Sequence, residues 1–455
     1  MERASFTDLL AWKDRPRRRP LVIRGARQVG KSTLVRLFAR ESFDSFVELN
    51  FEQNEADDSL FASRRPAEIL PLLEARTGTR IIPGRTLLFL DELQAAPEAL
   101  RSLRFFFEEL PNLHVIGAGS LLELTLAQTP LPMPVGRIEF LHLGPMTFEE
   151  FLMANGQNAL VELLTAQPPD TPLPDAIHLL ATKHLKRFIA IGGMPDVVRT
   201  WVESRSPDEC DRVQRSILST FEADFAKYGP RVDYRRLSKV FRTLPRLVGG
   251  RFKYAHVDRS ERAKDLARAL DLLCLAWVST RVCHSAANGV PLGAEANERN
   301  FKVLFLDVGL MSGSLGLGLA DLEVKKDIAA IFSGSVGEQF VGQHLLHSEA
   351  AYVEPRLHFW ARQKRSSTAE VDYVLSEGVH IVPIEVKSGK TGRLKSLHLY
   401  MREKGRVLGL RLWAGQPSVL DTRTSLPTGE DVSFRLVSLP LYMVGQVRRV
   451  IRQLA

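Results

Sequence analysis

The chain has 455 residues, 45% of them hydrophobic and 25% charged, so it is long enough for about three globular domains, and its composition excludes a disordered or fibrous protein. Lysine and arginine give a formal net charge of +8, which favours a polyanionic partner, and we expect DNA first. The three cysteines have no paired spacing, no apolar run is long enough to span a membrane, and the amino-terminal segment lacks the apolar core of a signal peptide. We therefore expect a cytoplasmic protein without disulfides, a zinc site or a membrane partner.

The predicted elements change in character twice along the chain. Between residues 21 and 142, short apolar runs alternate with amphipathic segments, and the runs read LVIR, FVELNF, TLLFLDE, LHVIGAGS and RIEFLHL. That alternation predicts a parallel sheet covered by helices. Residues 146–299 are mostly helical in pattern. After residue 300 a strand-like run, a helix, three strands, a helix and a strand predict a compact α/β domain.

A phosphate-binding loop follows the first predicted strand. The stretch GARQVGKST satisfies the pattern G-x-x-x-x-G-K-[ST] and leads into a helix-like segment, as a loop that holds ATP requires. Lys31 is expected to reach the β and γ phosphates, and Ser32 to bind Mg²⁺. The residues expected to hold the nucleotide are Gly25, Ala26, Arg27, Gln28, Val29, Gly30, Lys31, Ser32 and Thr33.

Polar residues end two later strands of the same region, and an arginine comes just before a third. Asp91 is expected to orient Mg²⁺ and Glu92 to act as the general base, although this acid pair would also complement the dipole of a following helix. Ser120 either contacts the γ phosphate or the attacking water, or it caps a helix. Arg137 is either an arginine finger, in cis or across a subunit interface, or a solvated surface arginine.

These motifs, together with FLDELQ, VIGAGSLLE, PVGRIEFLHLGPMTFEEFL and IGGMPDVV in this order, resemble a prokaryotic group of AAA+-like ATPases whose carboxy-terminal half is often labelled DUF4143. The resemblance covers nearly the whole chain. It implies an ATPase domain over residues 1–145, a helical lid over 146–210, a helical and winged-helix region over 211–300, and a domain of restriction-endonuclease-like fold over 301–455.

A second candidate site lies in the strand IVPIEVK. Glu385 and Lys387 are two residues apart and must leave the same face of a sheet, where burial costs free energy unless the charges pair or serve a site. The preceding strand carries Asp372, and a hairpin register with Asp372 opposite Glu385 would bring their Cβ atoms to about 5 Å. Two such carboxylates favour Mg²⁺ or Mn²⁺, with Lys387 beside a phosphate.

Glu338, on the preceding helix, is expected to be a further metal ligand at this site. With Asp372, Glu385 and Lys387 it resembles the signature of PD-(D/E)XK nucleases, and the order of elements resembles their core. The alternative is an edge strand with a solvent-facing ion pair. Folds of this kind also often bind nucleic acid without cutting it, so intact acids do not establish cleavage.

A basic helix in the middle region is the candidate DNA contact. Its leucines at helical spacing, Leu266, Leu270 and Leu273, are expected to point inward. The residues expected to meet phosphates are Arg259, Arg262, Lys264 and Arg268. A solvated basic face on a helical bundle is the alternative, because no base-reading pattern is evident.

The sequence therefore predicts a Mg²⁺-dependent ATPase whose nucleotide state controls how a DNA-binding, nuclease-like domain is presented. Two alternatives stay open: an ATP-gated switch that binds DNA or protein without cleaving, and a scaffold that holds ATP without turning it over. A homo-oligomer is compatible with each of these functions.

Overall fold

The computed structural model describes residues 1–128, 136–228, 233–319, 334–363, 368–387, 394–425 and 431–455. Ser388 follows the strand of Glu385 and Lys387 and is expected either to contact a phosphate or to serve the turn, and it lies outside the described residues. In the described part of the chain, none of the helices combines the length and the apolar character that crossing a bilayer requires.

The amino-terminal region is built on a five-stranded parallel sheet in the order β2-β3-β4-β1-β5. All six residues of β3 are buried, as expected where helices cover both faces of a parallel sheet. The strands are β1 (Leu21–Arg24), β2 (Ser45–Asn50), β3 (Thr86–Asp91), β4 (His114–Ala118) and β5 (Glu139–His142). The helices are α1 (Ser5–Lys13), α2 (Lys31–Ser42), α3 (Pro66–Thr77), α4 (Pro97–Glu109) and α5 (Leu122–Gln128).

The middle of the chain is helical. Its helices are α6 (Phe148–Ala154), α7 (Asn158–Ala166), α8 (Asp175–Ile191), α9 (Pro195–Ser204), α10 (Pro207–Asp224), α11 (Tyr234–Leu247), α12 (Tyr254–Val257) and α13 (Ala263–Leu275). Leu266, Leu270 and Leu273 of α13 are fully buried, so the predicted inward face is confirmed. Helix α13 is followed by an antiparallel strand pair, and three helices followed by such a pair is the order of elements in a winged helix.

An eight-stranded mixed sheet dominates the last third of the chain, in the order β12-β13-β11-β10-β9-β8-β6-β7. Its strands are β6 (Ser279–Ser285), β7 (Ala296–Phe305), β8 (Leu357–Ala361), β9 (Glu370–Glu377), β10 (His380–Lys387), β11 (Leu408–Trp413), β12 (Ser418–Ser425) and β13 (Asp431–Pro440). The associated helices are α14 (Val308–Ser314), α15 (Ser335–Leu346), α16 (Lys395–Lys404) and α17 (Val447–Leu454). Strand β6 and the first residues of β7 precede residue 301, so the middle region contributes directly to this sheet.

Aromatic side chains join the helical middle and the terminal region in one core. Phe148 of α6, Phe188 of α8 and Phe340 of α15 have ring centroids 5.7 to 6.4 Å apart. The backbone amide of Phe148 also donates to Nε2 of His344 in α15 at 2.8 Å. The chain is thus an α/β protein with a parallel sheet and a mixed sheet packed through shared helices, which confirms the predicted fold class.

Candidate functional site

The phosphate loop runs from the end of β1 to the start of α2. Gly25 has φ +140°, and a Cβ there would lie 2.1 Å from the carbonyl oxygen of Leu143, while Gly30 has φ +92° immediately before the helix. Both positions therefore favour glycine. The amide of Leu34 donates to the Gly30 carbonyl at 2.9 Å and closes the first turn of α2. Amides earlier in that turn have no intrahelical acceptor and can bind an anion.

Lys31 lies inside this loop. Its ammonium donates to the carbonyl oxygens of Gly25 at 2.9 Å and Ala26 at 2.7 Å. Burial lowers the pKa of Lys31 to about 8, although nearby Glu92 and Asp91 act in the opposite direction. Among the described residues no carboxylate lies within ion-pair distance of this ammonium, so a phosphate would supply the missing counter-charge.

The hydroxyl of Ser32 donates to Oδ2 of Asp91 at 2.8 Å. Asp91 ends β3 and is buried, and this burial raises the pKa of its carboxyl group. A hydroxyl and a carboxylate at the edge of a phosphate loop are hard oxygen ligands of the kind that Mg²⁺ prefers. The residues present therefore fit a nucleotide-bound Mg²⁺.

Glu92 lies next to Asp91, in the left-handed backbone region with φ +56°. Its Oε2 accepts hydrogen bonds from Nε2 of Gln94 at 2.6 Å and from the hydroxyl of Ser120 at 3.4 Å. Ser120 follows β4, which lies between β3 and β1 in the sheet. The fold therefore brings Glu92 and Ser120 to the same edge as the phosphate loop.

Arg27 connects the phosphate loop to distant parts of the chain. Its guanidinium donates to the Ser120 hydroxyl at 3.1 Å, to Asp224 at 2.5 Å and to Glu52 at 3.2 Å. Burial tends to lower the pKa of Arg27, but Asp224, Glu52 and Glu92 raise it overall. Sequence reasoning missed Asp224, which ends α10 and lies 197 residues from Arg27, because no local pattern reports such a contact.

Arg137 does not lie with these residues. Strand β5 runs parallel to β1 with Glu139 opposite Leu21, so Arg137 precedes the start of both strands, whereas the phosphate loop follows the end of β1. The arginine forms an exposed ion pair with Glu108 at 2.7 Å. The expectation of an arginine finger in cis is therefore wrong on geometry, and a role across a subunit interface stays a prediction.

In the basic segment around the start of α13, the acidic side chains are ion-paired and the predicted phosphate contacts are not. Its acids are engaged by a neighbouring helix, since Asp258 pairs with Lys239 at 2.5 Å and Glu261 pairs with Arg236 at 2.8 Å. Within the described ranges, the four predicted phosphate contacts form no ion pair of their own. These exposed side chains are Arg259, Arg262, Lys264 and Arg268.

A buried cluster of charges occupies the predicted second site. Lys302 of β7 is 3% exposed, and its ammonium lies 2.9 Å from Glu338, 2.6 Å from Glu370 and 3.5 Å from Asp372. Burial alone would lower the pKa of Lys302, but the three carboxylates raise it well above its usual value. Sequence reasoning missed this lysine, although a single charge within the apolar run NFKVLFL is the same kind of signal that drew attention to Glu385.

Glu385 and Lys387 leave the same face of β10, as predicted, and form an ion pair of 2.6 Å. The register of β9 and β10 pairs Tyr373 with Ile384, so its continuation places Asp372 opposite Glu385, and the amide of Val386 donates to Asp372 at 2.8 Å. Burial, reinforced by Asp372, raises the pKa of Glu385 to about 7. The two charges on this face of β10 therefore pair with each other.

The terminal cluster does not fit the predicted Mg²⁺ site of Glu338, Asp372 and Glu385. The centre between Glu338 and Asp372 is taken by the ammonium of Lys302. Among the described residues, no three His, Cys, Asp or Glu side chains converge in an arrangement that could hold a metal ion. This corrects the expectation of a three-carboxylate metal site, because an internal cation already neutralises two of those acids.

A narrow cavity of about 20 Å³ separates the phosphate loop from the terminal sheet. The residues that line it include Gly25 and Ala26 of the loop together with Trp277, Gln343 and His347. Gln343 belongs to α15 and His347 follows its end, and α15 also carries Glu338. The two candidate sites are therefore connected by packed side chains and one helix.

Three family matches divide the chain. Residues 17–152 match the family described as "AAA domain", residues 182–321 match "Domain of unknown function (DUF8612)", and residues 333–442 match "Domain of unknown function (DUF4143)". No curated protein matches the chain significantly. The first and third matches confirm the resemblance that the sequence motifs indicate.

Several solved structures are similar to parts of this chain. The Walker-type ATPase PABY2304 of Pyrococcus abyssi is 14% identical, with 69% of this chain and 95% of that chain covered and a TM-score of 0.44. The Aeropyrum pernix ORC2 protein is 13% identical, with 71% and 95% covered and a TM-score of 0.34. The Thermotoga maritima RuvB Holliday junction branch migration motor is 16% identical, with 62% and 90% covered and a TM-score of 0.30. The assignment of the amino-terminal region rests on the family match and on the geometry of the phosphate loop.

Proposed function

From a chain that combines an AAA-type P-loop ATPase domain with a carboxy-terminal DUF4143 domain, we propose an ATP-hydrolysing switch whose nucleotide state controls binding to DNA. The observation that carries the ATPase part is the buried Lys31 ammonium, which has carbonyl partners but no carboxylate partner inside a loop suited to phosphate. Control of DNA binding is supported by the contacts of this loop with the rest of the chain, namely Arg27 with Asp224 of α10 and the cavity shared with Gln343 and His347.

In the proposed reaction, Lys31 and the loop amides hold the β and γ phosphates. Bound Mg²⁺, held by Ser32 and Asp91, would withdraw charge from the phosphate oxygens. Glu92 takes a proton from the attacking water, whose oxygen bonds to the γ phosphorus as the bond to the β–γ bridging oxygen breaks. The products are ADP and phosphate. The hydrogen bond from Gln94 to Glu92 fixes the carboxylate for this step.

Phosphate release by the full chain tests the reaction. We expect Glu92→Gln to bind ATP but to lower kcat by about 10²-fold or more, because the amide cannot accept the proton. Glu109→Gln is the matched control, since Glu109 is exposed at the end of α4 and outside the site. Unchanged phosphate release in the Glu92 variant would instead support a scaffold that holds ATP without turning it over.

The DNA contact is proposed for the exposed basic segment at the start of α13. Its support is the pairing of Asp258, Glu261 and Asp265 with cations of α11, while the neighbouring cations form no ion pair in the described part of the chain. Helix α13 is long enough to enter a groove, and its buried leucines fix the face that it presents. Cations of this kind contact the phosphate backbone and add affinity that depends on salt.

A mobility-shift titration over a range of salt concentrations tests this contact. We expect the triple variant Arg262→Ala, Lys264→Ala, Arg268→Ala to weaken DNA binding and to reduce the salt slope by about three. A control with the same change in charge replaces three exposed arginines of the amino-terminal region. These are Arg40, Arg65 and Arg80. Equal loss in both variants would indicate a net-charge effect and would contradict the assigned face.

For the terminal domain we propose binding without cleavage, which the sequence left as the alternative to metal-dependent nuclease activity. The specific support is Lys302, whose ammonium lies among the acids that a nuclease would use for a metal. Plasmid nicking with Mg²⁺ and ATP tests the choice. We expect no nicking by the wild type and no difference for Lys387→Ala. Nicking that this variant abolishes would favour the nuclease function.

A further inference from the structure

Lys302 brings together parts of the chain that are far apart in sequence. Strand β7 supplies the lysine, α15 supplies Glu338, and β9 supplies Glu370 and Asp372, with Nζ to oxygen distances of 2.9, 2.6 and 3.5 Å. A second cation of the middle region, Arg251, pairs with the other oxygen of Glu370 at 2.9 Å. The cluster therefore connects β7, the second strand after the basic helix α13, to the two elements that carry Glu338 and Asp372.

We propose that the Lys302 ammonium is the resident cation of this cluster, taking the place that a divalent metal has in a cleaving site and tying β7 to α15 and β9. This inference deepens the proposed non-cleaving function. In this arrangement the acids bind the side-chain ammonium of Lys302 and not Mg²⁺.

The surroundings of Lys302 keep the ammonium in place. Its side chain is 3% exposed, and Nζ lies 5.5 Å from the centre of the Phe359 ring, which gives the cation an aromatic neighbour as well as carboxylates. The backbone of Lys302 pairs with Val282 in the sheet and forms a bridge with Arg251. Withdrawing the ammonium into solvent would leave buried acids without a cation, which is costly.

The remaining oxygens of the cluster are largely occupied as well. Asp372 accepts the Val386 amide at 2.8 Å on the oxygen that does not face Lys302, and one oxygen of Glu385 pairs with Lys387 at 2.6 Å. The other oxygen of Glu385 is buried and has no hydrogen-bond partner among the described residues. A Mg²⁺ ion requires near-octahedral oxygen ligands at about 2.0–2.1 Å, and carboxylates that already surround an ammonium are poorly placed to supply them.

Titration of the nucleotide-free full chain with Mn²⁺, followed by electron paramagnetic resonance of the free ion, tests the proposal. Every sample carries Asp91→Asn, which removes the metal ligand at the phosphate loop. We expect no saturable Mn²⁺ binding by this parent at the terminal cluster. Lys302→Met should gain one saturable Mn²⁺ per chain, adding Asp372→Asn should remove it, and Lys302→Arg should behave like the parent because it keeps the positive charge.

Two results would overturn the proposal. The first is that the parent binds Mn²⁺ and that Asp372→Asn abolishes this binding. This comparison tests the proposal even if Lys302→Met does not fold. The other is a Lys302→Met variant with the circular dichroism spectrum of the parent that gains no Mn²⁺. The titration tests the role of Lys302, and the nicking assay tests the proposed binding without cleavage. The two results are independent, because a chain that binds no metal can still be tested for cutting, and a metal-binding chain can still leave plasmids intact.

Discussion

At the scale of single residues, Lys31 has the charge environment with the clearest consequence. Its pKa of about 8 reflects burial without a direct counter-ion, and a bound triphosphate would raise that pKa. Above pH 8 a growing share of the nucleotide-free chain has a neutral Lys31. ATP binding must then take up a proton, so the affinity for ATP is expected to fall as the pH rises through this range.

Calorimetry of ATP binding at about pH 8.5, in buffers with different heats of ionisation, measures that proton uptake. We expect the observed heat to change with the buffer for the wild type and to change much less at about pH 6.5, where Lys31 is already protonated. Lys31→Arg is the control, because a guanidinium stays charged at both pH values. A heat at the higher pH that is the same in all buffers would contradict the charge state assigned to Lys31.

At the scale of helices and strands, Asp307 is the residue that fixes how α14 meets the middle region. Its carboxylate accepts the amides of Gly309 and Leu310 at the start of α14 and the amide of Gly193 from the IGGMP segment. The side chain is fully buried, so losing it would leave several buried amides without an acceptor. We expect Asp307→Ala to lower the free energy of unfolding by about 2–4 kcal/mol.

The matched comparison is Asp233→Ala, which removes the exposed cap of α11, where the side chain accepts the amide of Arg235. That change should cost about 1 kcal/mol or less, because water can satisfy the exposed amide. Urea denaturation of the two variants measures both effects. Equal losses of stability would mean that burial adds nothing to the role of Asp307.

Arg27 allows a second prediction at this scale, because it joins the phosphate loop to the end of α10. If ATP reorganises the loop, the contact from Arg27 to Asp224 carries the change to that helix. We expect ATP to alter amide hydrogen exchange over the last turns of α10 in the wild type and to do so less in Arg27→Gln. The control is Arg36→Gln. Arg36 lies on α2 and forms an exposed ion pair with Glu48 of β2, so its loss should leave the response to ATP intact.

At the scale of the whole molecule, the sequence predicted what depends on short segments. The phosphate loop, the acids that end β3, and the register that brings Asp372 opposite Glu385 each follow from local spacing and strand periodicity. The contacts of Lys302 and Arg27 could not be predicted in this way, because their partners lie on elements distant in sequence. Arg137 was misplaced because its position depends on strand direction in the sheet and not on its neighbours in the chain.

The shared aromatic core predicts that the middle and terminal regions do not unfold independently. We expect Phe340→Ala to cost about 3–5 kcal/mol and to speed amide exchange in α6 and α8 as well as in α15, because Phe340 contacts Phe148 and Phe188. Phe434→Ala is the control, since Phe434 is buried in a separate cluster on the terminal sheet. Faster exchange confined to α15 in the first variant would show that the regions are energetically separate.

The narrow cavity beside the phosphate loop has a practical consequence. Trp277 is one of five tryptophans in the chain, and it lines the same small space as Gly25 and Ala26. The intrinsic fluorescence of its indole should therefore change when a bound nucleotide rearranges the adjacent phosphate loop. With the other four indoles replaced by phenylalanine, stopped-flow recording of that emission would follow occupancy in real time without any attached dye.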